Sequence, residues 1–146
     1  ENEGHMSSPL LSNYYGLKSI FSDMSLPDEI VKDFNSNVFL KHENKIMQKY
    51  GSEAKQSAEA YVNLSFRLIN KKEYSDAITV IQRSIEAYDY DIWLRSLLAS
   101  TYEKNGQNAQ AIEAYKEAIE VSKKHKFGKE IEFQEHINRL EKNVFD

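Results

Sequence analysis

The sequence predicts an all-α fold, a superhelix of antiparallel helix hairpins with capping helices at its ends. Three observations carry that prediction. Turn-forming residues are scarce: five Gly and two Pro in 146 residues starve β-hairpins and sandwiches of the residues they need. The middle of the chain aligns with itself at an offset of 34. Leu64-Ser65 falls on Leu98-Ala99, Leu68 on Tyr102, Ala77-Ile78 on Ala111-Ile112, Ile81 on Tyr115, and Ser84-Ile85 on Ala118-Ile119. The apolar residues Tyr61, Leu64, Leu68, Ile78, Ile81 and Ile85 recur at three- and four-residue steps, the spacing of an amphipathic helix.

Small residues meet small ones across the alignment, and large apolar ones meet large. Ser65, Ala77 and Ser84, with Ala99, Ala111 and Ala118, mark places where two helices approach too closely for a bulky side chain. A helix–turn–helix unit repeating every 34 residues resembles the tetratricopeptide repeat, with units at about 58–91 and 92–125. Gly106 stands at the turn inside the second unit, where positive φ is wanted, and Lys72 stands there in the first. The aromatic residue near the start of the first helix is Tyr61 in one unit, but Arg95 in the other. Neither unit ends in the family's proline; Asp89 and Lys123 stand there, and Asp91 is placed to cap the next helix.

A stack of repeats exposes an apolar face at each end and needs caps. Ile131, Phe133, Ile137 and Leu140 predict a capping helix over 128–143, with Phe127 and Phe145 packing at its ends. Val38, Phe39, Ile46, Met47 and Tyr50 predict a helix over 36–50 that Gly51 stops. Pro27-Asp28-Glu29 begins a short helix from 27 to about 34, with a proline and two acids at its positive end. Residues 10–22 read as one further helix carrying Leu10, Tyr14, Leu17, Ile20 and Phe21. The expected organisation is therefore a segment over 1–25, a linking helical hairpin over 26–52, and two repeats with a capping helix over 53–146.

Composition narrows the function. Charged residues are 29%, hydrophobic 40% and aromatic 12%, a globular profile. A net charge of −4 provides no overall basic footprint for nucleic acid, and no apolar run approaches the ~20 residues of a membrane span. Zero cysteines exclude disulfides, thiolate nucleophiles and sulfur-ligated metal sites. No Gly-rich phosphate loop, calcium loop or H-E-x-x-H motif is present, and no cofactor is expected. The compartment is left open.

The N-terminal string ENEGHMSSPLLSNYYGLKSIF has two readings. Gly4-His5-Met6 is a tripeptide that tag removal leaves behind. The string also resembles the end of the catalytic domain in a bacterial esterase family of the α/β-hydrolase type. There an acidic stretch leads to His-x-Ser-x-Pro and then to a helix with Tyr-x-Gly-Leu. His5, Ser7 and Pro9 fit, and Tyr15-Gly16-Leu17 fits with a spacing one residue different. Some members continue into TPR-like repeats. The resemblance implies that His5 is the general base of a Ser-His-Asp triad in a parent enzyme, whose hydrolase domain would partner this chain. Triad order in such enzymes places the histidine last. No G-x-S-x-G elbow occurs here, so catalysis by this chain alone is not expected.

The remaining histidines read as structural. His42 is a helix flank beside Lys41 and Glu43. His125 sits among Lys123, Lys124 and Lys126, where positive charge suits a helix C-terminus. His136 and Glu132 are at most a weak i, i+4 metal pair, whereas a catalytic metal takes about three protein ligands. Glu113, Glu117 and Glu120 alternate with Lys116 as a solvated face.

Binding is what remains. In tetratricopeptide arrays the first helix of each unit lines a groove that receives a peptide or helix. The resemblance places Glu59, Val62, Asn63, Phe66, Ile69 and Asn70 there in the first unit, and Trp93, Ser96, Leu97, Ser100, Glu103 and Lys104 in the second. The family's clamp for a C-terminal carboxylate spreads Lys, Arg and Asn over three units. Asn63 and Lys104 are all that matches, so chaperone-tail binding is not expected. Phe66, Ile69 and Trp93 suggest an apolar groove for a protein or peptide. Filling by a capping element, or homodimerisation, is the alternative.

Overall fold

The computed structural model describes residues 15–16 and 24–142. His5, the core of the expected 10–22 helix and Phe145 lie outside the described residues; Tyr15 and Gly16 are helical and exposed. Among the described residues the chain is helical with no strand. It divides into two compact units, Glu1–Gln56 and Ser57–Asp146.

In the first unit, α1 (Asp28–Lys32) begins after Pro27, with Asp28 and Glu29 in its first turn and Lys32 in its last. Both ends thus match the helix dipole. Asn35 caps α2 (Ser36–Tyr50): its side chain accepts from the amides of Asn37 at 3.0 Å and Val38 at 3.2 Å. Gly51 ends the helix at φ 102°, its amide donating to the Met47 carbonyl. Phe39 and Ile46 form the buried side of α2, with Phe34 and Phe39 ring centroids 5.6 Å apart. Val38, expected to share that side, is exposed. It falls about 100° round the helix from Phe39.

The second unit contains α3 (Ala58–Asn70), α4 (Tyr74–Ala87), α5 (Ile92–Lys104), α6 (Asn108–His125) and α7 (Glu130–Lys142). Each packs mainly on its neighbour in sequence, the pattern of a one-dimensional stack. Ser57 caps α3 through the Ala60 amide, and Asp91 caps α5 through Trp93 at 2.8 Å and Leu94 at 3.2 Å.

The 34-residue period reappears as a hydrogen-bond register. After α3, the amide of Lys72 donates to Ile69 and that of Glu73 to Leu68. After α5, Gly106 donates to Glu103 and Gln107 to Tyr102. Each pair closes a helix end through a left-handed residue, Lys72 at φ 63° and Gly106 at φ 74°. α6 ends in the same way, with Lys126 at φ 58° and Phe127 donating to Ser122.

The six small positions, Ser65, Ala77, Ser84, Ala99, Ala111 and Ala118, are all buried, beside Tyr61, Leu64, Leu68, Ile81 and Tyr115. The two buried hydroxyls donate back to their own helices, Ser65 to the Tyr61 carbonyl and Ser84 to that of Ile81. No lone polar group is left in the contact.

The cap at the C-terminal end is α7, which buries Phe133, Ile137 and Leu140. Ile131 was expected on this stripe, but it is 78% exposed. Two residues before Phe133 it points roughly 160° away from it. Ser122 fastens the junction by donating to Glu130 and accepting from the Lys129 amide.

Candidate functional site

Phe66 comes from the third turn of α3 and Trp93 from the first turn of α5. They lie on different hairpins, yet their ring centroids are 5.8 Å apart, tilted by 54°. The residues are 41% and 48% exposed, so a contact that excludes water between the rings leaves much of both surfaces open. Asn63 and Asn70 share the Phe66 face at helical spacing and are exposed. Leu97, Ser100 and Lys104 share the Trp93 face, with Leu97 and Ser100 half-buried and Lys104 exposed. The surface is thus an aromatic pair flanked by Asn63, Asn70 and Ser100, with the exposed carboxylate of Glu59 one turn before Asn63 and one cation, Lys104, at the far end of α5.

Not every residue assigned to the groove is available to a ligand. Ile69 is 7% exposed and belongs to the core. Ser100 donates its hydroxyl to the Leu97 carbonyl. Glu103 is engaged on both oxygens: Tyr115 Oη donates to Oε1 at 2.8 Å, and Arg139 to Oε2 at 2.6 Å. His5 lies outside the described residues.

The Glu103 cluster escapes sequence reasoning because its members are 12 and 36 positions apart and form no local pattern. His136 stacks on the Tyr115 ring at 4.8 Å and 10°, and its Nδ1 lies 3.2 Å from an Arg139 nitrogen. Burial, then the hydrogen bond and charge of Glu103, push the Tyr115 phenol above its usual range. A hydrogen bond from Lys129 and its charge hold the Glu132 carboxyl below the ordinary value. Among the described residues, no three His, Asp or Glu side chains gather as metal ligands. The cluster's evident role is to tie α7 to the hairpin of α5 and α6.

Helix hairpins stacked in sequence define a helical-repeat architecture. More particularly, a tetratricopeptide repeat is found at residues 94–125, which span α5, α6 and the turn between them. No curated protein and no solved structure matches the chain. No helix among the described residues is long and apolar enough to cross a membrane.

Proposed function

We propose that the chain is a protein-interaction scaffold that docks an apolar segment of a protein partner on the face formed by α3 and α5. The observation that carries this reading is the Phe66–Trp93 pair, two large aromatics from successive hairpins, touching and half open to solvent. Exposed aromatics that already exclude water between them are good anchors, because little side-chain freedom is lost on binding. The exposed carboxylate of Glu59 and the uncharged Asn63, Asn70 and Ser100 around them disfavour an acidic tail.

Trp93 is the sole tryptophan, so its fluorescence reports on the site directly. Peptides selected from a display library against the whole chain should carry aliphatic or aromatic anchors and shift the Trp93 emission. They should bind the Phe66→Ala variant at least about tenfold more weakly. Selected peptides that bind this variant as tightly as the parent chain would overturn the reading. Concentration-dependent self-association lost in the same variant would show instead that a second copy occupies the face.

The finer reading places this scaffold at the end of a serine hydrolase, as a non-catalytic assembly domain next to the enzyme's own catalytic domain. Its support is the sequence around His5, Ser7 and Pro9, followed by Tyr15-Gly16-Leu17. Reading the source gene upstream of the Glu1 codon tests it. An open frame with a G-x-S-x-G elbow and a later acidic residue is the expected result. A frame beginning near Met6 leaves only the free-standing scaffold.

A further inference from the structure

The side of α5 away from Trp93 faces a second concave surface. Leu98 and Tyr102 lie five and nine residues after Trp93, roughly 140° and 180° round the helix. They floor a cleft of about 590 Å³ between α4 and α6, the second helices of the two hairpins. Ile85 and Ala114 complete an apolar floor, and Gln82 is held by donating to Tyr102 Oη at 3.0 Å. The small side chains of Ala109 and Ala114 keep the α6 wall low.

Three carboxylates, Glu86, Glu113 and Glu117, line the same cleft. Glu86 is exposed and pairs with the half-buried Arg83, and Glu113 pairs with Lys116 with both side chains exposed, each through an i, i+3 contact at 2.7 Å. Surface pairs of this kind are weak and yield readily to a competing cation. Glu117 makes no ion pair among the described residues. Arg95 lies one turn before Leu98 and lines the adjoining depression with Glu117 and Val121. Its charge disfavours a ligand cation at that end and favours one between Glu86 and Glu113.

We infer that this cleft is a second docking surface, independent of the Phe66–Trp93 face, and that it receives an arginine or lysine side chain of a protein partner. An apolar floor with carboxylates at its rim matches such a side chain atom for atom in character: the aliphatic stem covers Ile85, Leu98 and Ala114, and the cationic head reaches the glutamates. Charge complementarity selects the basic residue, and the floor selects one with a long stem over a bare ion.

The test titrates the full chain with acetyl-Ala-Leu-Arg-Leu-Ala-amide and with the same peptide carrying citrulline for arginine. Backbone amide shifts of Ala109, Glu113 and Glu117 are followed, with the Trp93 indole as the opposite-face control. Up to roughly 5 mM, the range a single side-chain site reaches, the arginine peptide should move the three amides and leave the indole in place. The citrulline peptide should bind about fivefold more weakly. The exposed-rim double variant Glu86→Gln, Glu113→Gln should cost a similar factor, and Ala109→Leu, which raises the α6 wall, should weaken both peptides. Equal binding of the two peptides, or shifts confined to the Trp93 side, would overturn the assignment. Spermidine binding as well as the arginine peptide would also overturn it, because the site would then hold a free polyamine. None of these readouts depends on Phe66, so failure here and failure of the scaffold reading are distinguishable.

Discussion

Lys72 and Gly106 occupy the same place in successive hairpins, at φ 63° and 74°. A left-handed backbone costs an L-residue with a Cβ roughly 1 kcal/mol, and glycine almost nothing. Nothing crowds the glycine at position 106, so the turn wants the conformation rather than the space. Lys72→Gly is therefore expected to stabilise the fold by about 0.5–1 kcal/mol, and Lys126→Gly at the end of α6 by a similar amount. Urea titration of each variant checks this, and a lower midpoint in both would show that the lysine side chains contribute more than the backbone strain removes. Arg95 makes a different residue-scale case. It stands where the first hairpin buries Tyr61 completely, and its Nε and Nη1 are buried without hydrogen-bond partners. Each such donor costs about 1–3 kcal/mol. Arg95→Met keeps the stem and removes the stranded donors, so it should raise Tm; a fall would mean that the guanidinium is satisfied in solution.

The junction of α6 and α7 decides whether the stack has a sealed end. Phe133, Ile137 and Leu140 close it from the apolar side, and Phe133 stacks on Tyr115 at 6.0 Å. On the polar side, Glu130 accepts from Ser122. A hydrogen bond from its own backbone amide, then that from Ser122, hold the Glu130 carboxyl below its ordinary value of 4.5. A carboxyl depressed in the folded state stabilises the fold above its unfolded pKa, and that contribution disappears as pH falls through the folded value. Glu132 is depressed as well, by Lys129. Stability should therefore decline as pH drops below about 4.5, and Glu130→Gln should flatten the decline while slightly lowering stability at neutral pH. Thermal unfolding of both proteins across that range is the check; identical acid profiles would remove Glu130 from the account.

At the scale of the whole molecule, two hairpins and a cap stack in sequence in the second unit. A histidine accelerates acyl transfer only when a nucleophile lies within hydrogen-bond reach and a third group orients it. The sequence contains no G-x-S-x-G elbow to supply that nucleophile. Hydrolysis of a nitrophenyl ester by this chain is expected to equal that of its His5→Ala variant, and a measured excess over the variant would refute this. The two proposed docking surfaces lie on the two sides of α5, with Trp93 and Leu97 on one and Leu98 and Tyr102 on the other. A single helix presents both because successive residues point about 100° apart.

Much of this was legible in the chain because it is written in local spacing. Asp91 is a recognisable cap, Asn35-Ser36-Asn37 a recognisable break, Gly51 and Gly106 recognisable stops, and the small residues at 65, 77 and 84 recur 34 positions on. The repeat alignment also puts Phe66 and Trp93 among the groove candidates of successive first helices, without showing that they touch. What spacing could not decide is how far each helix rolls against the next. That roll buries Ile69, which the repeat places on the groove side, whereas Ile131 is exposed because it stands two residues before Phe133 on its own helix. The same roll brings Glu103, Tyr115 and Arg139 together across three helices, and it opens the cleft between α4 and α6. The sequence by itself determined the hairpins, their ends and their repeat. Only the tertiary structure decided which side chains face a partner, because exposure depends on the angle at which whole helices pack.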